Sequence, residues 1–303
     1  MANDKVIVDL LSGTAGGVAQ LCVGHPFDTT KVAMQRSQTP LTPSQAIKQI
    51  FTSQGPRGFY RGMGPPLVTV AAFNAVLFGS TGFLNRIIRP DGGILTPAEA
   101  CLTGSLAGIP ASVLATPTEL LKCRLQAQGG ARPPPGMVYT LADAQASKLL
   151  YAGPVDALRS IVKFEGGVQA LFRGFLPTLL RETPGNGFYF GAYALIKDWL
   201  ASYQGLSDAS ELGPGALMLA GGVAGAAFWA PVLPIDTIKT RIQLDSPFSN
   251  RYHGIMDCAR QVIRHDGVRG LTRGWQPCLA RSVPANAATF VAFEAAKSLL
   301  TRA

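Results

Sequence analysis

Charged positions are widely spaced along this chain. Gly62–Asn85 and Leu212–Ile235 each run 24 residues without Asp, Glu, Lys or Arg, and Leu10–Phe27 and Cys101–Thr118 run 18. A helix of about 20 residues crosses the roughly 30 Å hydrocarbon core of a bilayer. These stretches are rich in Gly, Ala, Pro, Ser and Thr. Small residues let helices approach closely, so the pattern predicts spanning helices packed around a polar cavity rather than lone lipid anchors. Shorter segments between them carry a single apolar stripe. Val155, Leu158 and Val162 lie opposite Arg159 and Lys163, which predicts an amphipathic helix on the membrane surface. The expected helices are Val8–Gln35, Pro43–Phe51 and Pro65–Arg86, then Thr96–Ala127, Pro154–Phe164 and Pro177–Leu200, then Pro214–Gln243, Ile255–His265 and Pro277–Leu300.

The grouping in threes follows an internal repeat. Pro26, Pro117 and Pro234 each open one phrase. An acid stands two residues on (Asp28, Glu119, Asp236), a lysine at five (Lys31, Lys122, Lys239) and a glutamine at nine (Gln35, Gln126, Gln243). Paired glycines precede each proline: Gly13 and Gly17, Gly104 and Gly108, Gly221 and Gly225. An Arg-Gly step follows: Arg61-Gly62, Arg173-Gly174, Arg273-Gly274. The chain divides into repeats 1–92, 93–205 and 206–303. The middle one carries a loop insertion near 127–152, where Gly129-Gly130 and Pro133-Pro134-Pro135 interrupt the pattern. The expected fold is an all-α membrane protein of six transmembrane helices in three tandem pseudo-threefold repeats, each with a short amphipathic helix.

Acids inside a membrane need partners. Three acids and three lysines around an axis can pair between neighbouring repeats, either as a gate that opens or as fixed glue. The glutamine one turn beyond each lysine can bond the pair from below. Aligning the even helices on Pro65, Pro177 and Pro277 sets Thr69, Arg181 and Arg281 at one level, with Val70, Glu182 and Ser282 beside them. An arginine fork suits a carboxylate, and Glu182 suits a cationic nitrogen. The set describes a solute bearing both, or else an internal pair of Glu182 with Arg181 or Arg281. Asn74, Asn186 and Asn286 lie about 140° round the helix from that level, so they are expected to bond neighbouring helices.

The tripled phrase resembles the signature of the mitochondrial carrier family over the whole chain. Pro117-Thr118-Glu119-Leu120-Leu121-Lys122-Cys123-Arg124-Leu125-Gln126, Arg181-Glu182-Thr183-Pro184 and Arg281-Ser282-Val283-Pro284-Ala285-Asn286 are similar to the branch of carnitine/acylcarnitine, ornithine and basic amino-acid carriers and the plant "à bout de souffle" carrier. The resemblance implies a multi-pass exchanger of the inner mitochondrial membrane, working by alternating access as a monomer. It places the amphipathic helices on the matrix side. It also implies a matrix gate of Asp28–Lys122, Glu119–Lys239 and Asp236–Lys31, and cardiolipin head groups seated at the three Arg-Gly steps, whose backbone N–H groups can take phosphate. Its substrates would be ornithine, arginine, lysine, carnitine or acylcarnitine, with glutamate as an alternative. The chain departs from the family pattern in places. Ala33 replaces the second signature cation that Arg124 and Arg241 supply. The cytoplasmic set is complete only as Phe293, Glu294 and Lys297. It is Tyr193, Ala194 and Lys197 in the second repeat, and Thr81, Gly82 and Asn85 in the first. Only Lys197 and Glu294 are expected to pair there.

Composition narrows the rest. Hydrophobic residues make up 47% and charged residues 15%, too apolar for disorder. Net charge is +9, but the basic residues stand singly, which disfavours nucleic acid and suits anionic lipid or solute. His25, His253 and His265 are scattered, no cysteine pair has metal-ligand spacing, and no Walker loop is present. No enzyme, metal or cofactor is expected. The N-terminus lacks an Arg-rich presequence. A non-transporting scaffold of this fold should have lost the gate or the site. A proton-leak uncoupler would pass a fatty-acid-dependent proton current.

Overall fold

The computed structural model describes residues 2–37, 39–128, 150–206, 208–245 and 251–302. The described residues form α-helices joined by short 3-10 turns. The first repeat holds α1 (Ala2–Arg36), α2 (Pro43–Gln54) and α3 (Gly64–Ile88); the second α4 (Pro97–Ala127), α5 (Pro154–Phe164) and α6 (Phe175–Tyr203); the third α7 (Pro214–Leu244), α8 (Ile255–Asp266) and α9 (Trp275–Arg302). Each expected helix is present, with ends displaced by a few residues. The expected insertion falls largely outside the described residues.

Local chemistry sets the helix starts. Pro43, Pro97, Pro154 and Pro214 stand in the first turn, where a missing N–H is harmless. Thr42 with Gln45, and Thr96 with Glu99, close capping boxes. The even helices follow glycines at positive φ: Gly62 (77°), Gly174 (82°) and Gly274 (84°). These glycines also meet the neighbouring repeat. A Cβ at Gly62 would stand 2.9 Å from the Lys122 carbonyl, and one at Gly274 2.9 Å from Lys31 Cγ.

Small residues bring the long helices together. A Cβ at Gly104 or Gly108 would stand 2.6 Å from the Asn186 or Glu182 carbonyl, so α4 rides on the α6 backbone. Gly17 faces the Asn74 amide on α3, and Gly225 faces the Asn286 amide on α9. Asn286 nevertheless donates to the Ser282 carbonyl of its own helix at 2.7 Å. Asn186 likewise bonds the Glu182 carbonyl and carboxylate on its own helix, both at 2.8 Å. For these two, bonds within the helix replace the expected bonds to a neighbouring helix. The amphipathic helices bury one face each. Ala157 and Ile161 of α5 pack with Leu120, Leu121, Leu125, Tyr151 and Leu171, while Val155 and Leu158 stay exposed.

Among the described residues, α3, α4 and α7 are long and apolar enough to cross a membrane by composition alone. α1, α6 and α9 carry more charge within similar lengths. Among those charges, Asp28, Lys31, Arg181, Glu182 and Arg281 take part in the ion pairs that form the site.

Candidate functional site

The three prolines stand inside α1, α4 and α7, and the acid–lysine pairs follow one turn later. Lys122 reaches Asp28 at 2.5 Å, Lys239 reaches Glu119 at 2.9 Å, and Lys31 bonds Asp236. Each pair joins two repeats, so the ring closes around the axis. Apart from Glu119, whose side chain is 24% exposed, the acids are nearly buried. Charges held at this depth must be paired, because a lone one is poorly solvated.

The two arginines of the even helices descend to the same acids. Arg181 donates to Glu119 at 2.6 Å and to Glu182, and its Nε lies 3.8 Å from Asp236. Arg281 donates to the second oxygen of Asp28. Of the open alternatives, Arg181 pairs with Glu182; Arg281 does not. Thr69 sits on the first repeat's side, accepting a 3.2 Å hydrogen bond from Thr118. Val70 packs towards Gly17 on α1.

An aromatic residue that the repeat comparison overlooked stands at the centre. The Trp229 ring has Lys31 Nζ at 4.1 Å and the Arg181 and Arg281 guanidinium carbons each at 5.8 Å. Three cations within 6 Å of one indole ring form a cation–π cluster. Trp229 lies five residues before Pro234, where the other repeats have Leu21 and Ser112. A search for shared residues passes over it; a search for singular ones would have found it.

Gln35 bonds its pair as expected; the other two glutamines do not. Gln35 donates to Asp236 at 3.2 Å and to Thr237 at 3.1 Å. Gln126 donates to Thr29 at 3.0 Å rather than to an ion pair. Gln243 is fully buried with both amide atoms unpartnered. Thr237 and Thr29 occupy equivalent positions three residues after the proline, and the third such position is Leu120. The hydroxyl that serves Gln35 and Gln126 is therefore missing for Gln243. An unmade buried hydrogen bond costs about 1–3 kcal/mol. Gln243→Leu should leave the melting temperature unchanged or raise it by a few degrees, whereas Gln126→Leu should lower it. Equal losses in the purified protein would show that Gln243 has a partner.

At the opposite end the expected pair is absent. Among the described residues no ion pair joins Lys197 to Glu294. Lys197 Nζ lies 5.6 Å from the Tyr193 ring, Lys297 Nζ lies 5.4 Å from the Phe293 ring, and Glu294 is exposed. Each lysine lies instead near the aromatic ring four residues before it on its own helix.

The Arg-Gly steps are turned inward. Arg61 Nε donates to the Leu125 carbonyl at 2.9 Å, Arg173 Nε to Ile242 at 3.2 Å, and Arg273 to Ser37 at 3.1 Å. Each arginine thus caps the C-terminal carbonyls of the next repeat's odd helix. Arg173 also meets Asp245, and Arg273 meets Asp266. The arginine side chains are thus engaged by protein. A cavity of about 560 Å³ remains beside the first step, lined by Arg57, Tyr60, Gly62, Gly64, Tyr151 and Gly153.

Comparison with known proteins fits this geometry. The sequence profile described as "Mitochondrial carrier protein" matches residues 2–92, 94–204 and 210–303. The chain is 48% identical to a "Mitochondrial carnitine/acylcarnitine carrier-like protein" of Arabidopsis thaliana, covering 96% of this chain and 98% of that protein. It is 38% identical to a "Mitochondrial basic amino acids transporter" of Bos taurus, covering 93% and 89%. It is 34% identical to a "Mitochondrial glycine transporter" of Saccharomyces cerevisiae, covering 98% and 93%. With all three repeats matched and relatives covered almost end to end, the chain belongs to the mitochondrial carrier family, whose members are transporters of the inner mitochondrial membrane.

Proposed function

We propose that the protein exchanges, by alternating access, a small carboxylate that also bears a cationic nitrogen: a basic amino acid such as ornithine, arginine or lysine, or carnitine or an acylcarnitine. One observation carries the reading. Arg181 and Arg281 both lie near the Trp229 ring and bond acids of the signature-end gate, and Arg181 also bonds Glu182. A carboxylate would take an arginine fork, and the nitrogen would replace it on Glu182. The ion-paired end faces the matrix, and Lys197 and Glu294 would close the cytoplasmic end in the other state. Solute gradients and membrane potential would drive exchange, without enzymatic chemistry.

Charge counting favours glutamate as the second reading. Lys31, Lys122, Lys239, Arg181 and Arg281 face only four carboxylates: Asp28, Glu119, Glu182 and Asp236. Thr69 and Val70 add no acid for a second amine. A solute of net charge −1 would balance the layer. The deciding experiment is exchange in liposomes against ornithine, arginine, lysine, carnitine and glutamate. Failure of all five would refute the reading.

Glu182→Gln should slow exchange of amine-bearing solutes about tenfold, the size of one charge-assisted bond, and spare plain dicarboxylates. Equal loss for both classes would assign Glu182 a structural role. We further propose that the protein acts as a monomer and that cardiolipin sits in the cavity beside Arg61-Gly62. Its phosphate would meet the N-terminal backbone of α5 rather than the Arg61 fork. Native mass spectrometry after delipidation would test both.

A further inference from the structure

We propose that Asn186 is a positioning residue that sets which cation the site prefers. By holding one oxygen of Glu182 it leaves that acid a single oxygen for the solute, which fits an ammonium better than a guanidinium. This rests on the carrier reading above, and within it favours lysine and ornithine over arginine. All three repeats carry an asparagine at this place, and the residue four before it is Val70, Glu182 or Ser282. Glycines of the odd helices pack on these pairs. A Cβ at Gly17 would meet Val70 Cγ2 at 2.9 Å and the Asn74 amide at 2.7 Å, and one at Gly225 the Asn286 amide at 2.9 Å and Ser282 Cβ at 3.3 Å. Gly104 and Gly108 stand on the carbonyls of Asn186 and Glu182. The asparagine is thus a packing residue in every repeat, and Glu182 alone gives it an acid to bond.

The Asn186 amide donates to the Glu182 carbonyl and to Oε2, both at 2.8 Å. Two acceptors fix the direction of the amide, because only its nitrogen can donate. Both side chains are buried, so water does not compete for the bond. Oε1 is left for Arg181. The resident guanidinium already obeys this limit. It meets Glu182 through Nη2 and Oε1 alone, and the same Nη2 bonds Glu119 at 2.6 Å. A guanidinium gains its strength on a carboxylate from two parallel bonds to both oxygens. With Oε2 held by Asn186, an incoming guanidinium forgoes the second bond. An ammonium is a compact charge with three rotatable donors, and one oxygen serves it. When the solute nitrogen replaces Arg181 on Oε1, Asn186 stays on Oε2 and the acid does not turn.

The experiment measures KM and kcat for lysine and for arginine in liposomes, two solutes alike in carboxylate and α-amine. The unmutated protein should take lysine with the lower KM. Asn186→Leu frees Oε2 and should move the ratio of the two KM values towards arginine about fivefold or more, the order of one charge-assisted bond, with each kcat changing much less. Asn186→Gln, whose amide still reaches an acid four residues back, should restore most of the preference for lysine. If Asn186→Leu fails to fold, Asn186→Ser decides, since a serine hydroxyl bonds the carbonyl one turn back and releases the carboxylate. A lower KM for arginine in the unmutated protein, or an unchanged ratio in the folded variants, would overturn the proposal. So would melting-temperature losses of Asn186→Leu and Glu182→Gln that simply add, because contacting residues that act through one bond do not. If neither solute is exchanged, the substrate reading fails and takes the preference with it, whereas a non-additive melting cycle still upholds the grip of the amide on Glu182.

Discussion

Arg181→Ala is expected to remove about 3–5 kcal/mol of stability, as breaking a buried ion pair does, and to leave little folded protein. Arg181 is 4% exposed and bonds both Glu119 and Glu182. Without it, Glu119 retains Lys239, but Glu182 keeps only the Asn186 amide. The dominant loss is therefore an uncompensated carboxylate inside a helix bundle, not a missing substrate contact. That assigns the double variant a clear outcome. Arg181→Ala with Glu182→Gln should melt above Arg181→Ala alone, although it deletes more native interactions, because it deletes the orphan charge. The measurement is thermal unfolding of each purified variant in detergent. If Arg181→Ala melts within about 2 °C of the unmutated protein, which is about 1.3 kcal/mol for a chain of this size, the buried-pair account fails. Arg281→Ala should behave differently, with folding largely retained, since Asp28 keeps Lys122 at 2.5 Å.

The fold was legible because the repeat states each element three times. Pro26, Pro117 and Pro234 locate one structural feature independently, and the charge-free runs between them match a bilayer. The partners of Lys31, Lys122 and Lys239 came with the family resemblance and match the pairs formed. What escaped was the chain's departure from its own symmetry. Nothing in the pattern around Arg281 says that it reaches Asp28; that depends on a missing Cβ at Gly24, on another helix. The unpartnered Gln243 follows from Leu120 standing where Thr29 and Thr237 stand, which is visible only when the hydroxyls are compared as a triplet. Lys197 was expected to meet Glu294, but a long cation on a wet surface gains little from an exposed ion pair. It lies over its own helix's Tyr193 instead. Periodicity reads which face of a helix is buried. It does not read which of several acceptors a five-donor side chain selects once it arrives there.

Charge reversal at Asp28 tests the gate with the largest expected effect on transport. Asp28→Lys would set a third cation among Lys122 and Arg281, which now share that carboxylate. Like charges in a weakly solvated layer repel by several kcal/mol, so the signature end should not close and exchange should fall at least tenfold. The reciprocal change, Lys122→Asp in the same chain, rebuilds the pair with its ends exchanged. It does not restore the starting state, because the lysine at position 28 still faces Arg281. Recovery of exchange by the swap should therefore be partial. Adding Arg281→Gln to the swap removes the remaining repulsion, so gate closure should return while exchange does not, since the carboxylate-binding fork is gone. Closure is read from thiol labelling at Thr69→Cys on the signature-end face, and exchange from liposome uptake. Complete recovery by the swap alone would mean that Arg281 does not act at Asp28. No recovery of either reading would mean that Asp28 and Lys122 are not partners. Closure recovering without exchange only after Arg281→Gln would separate the two duties of Arg281: holding the gate and receiving the solute.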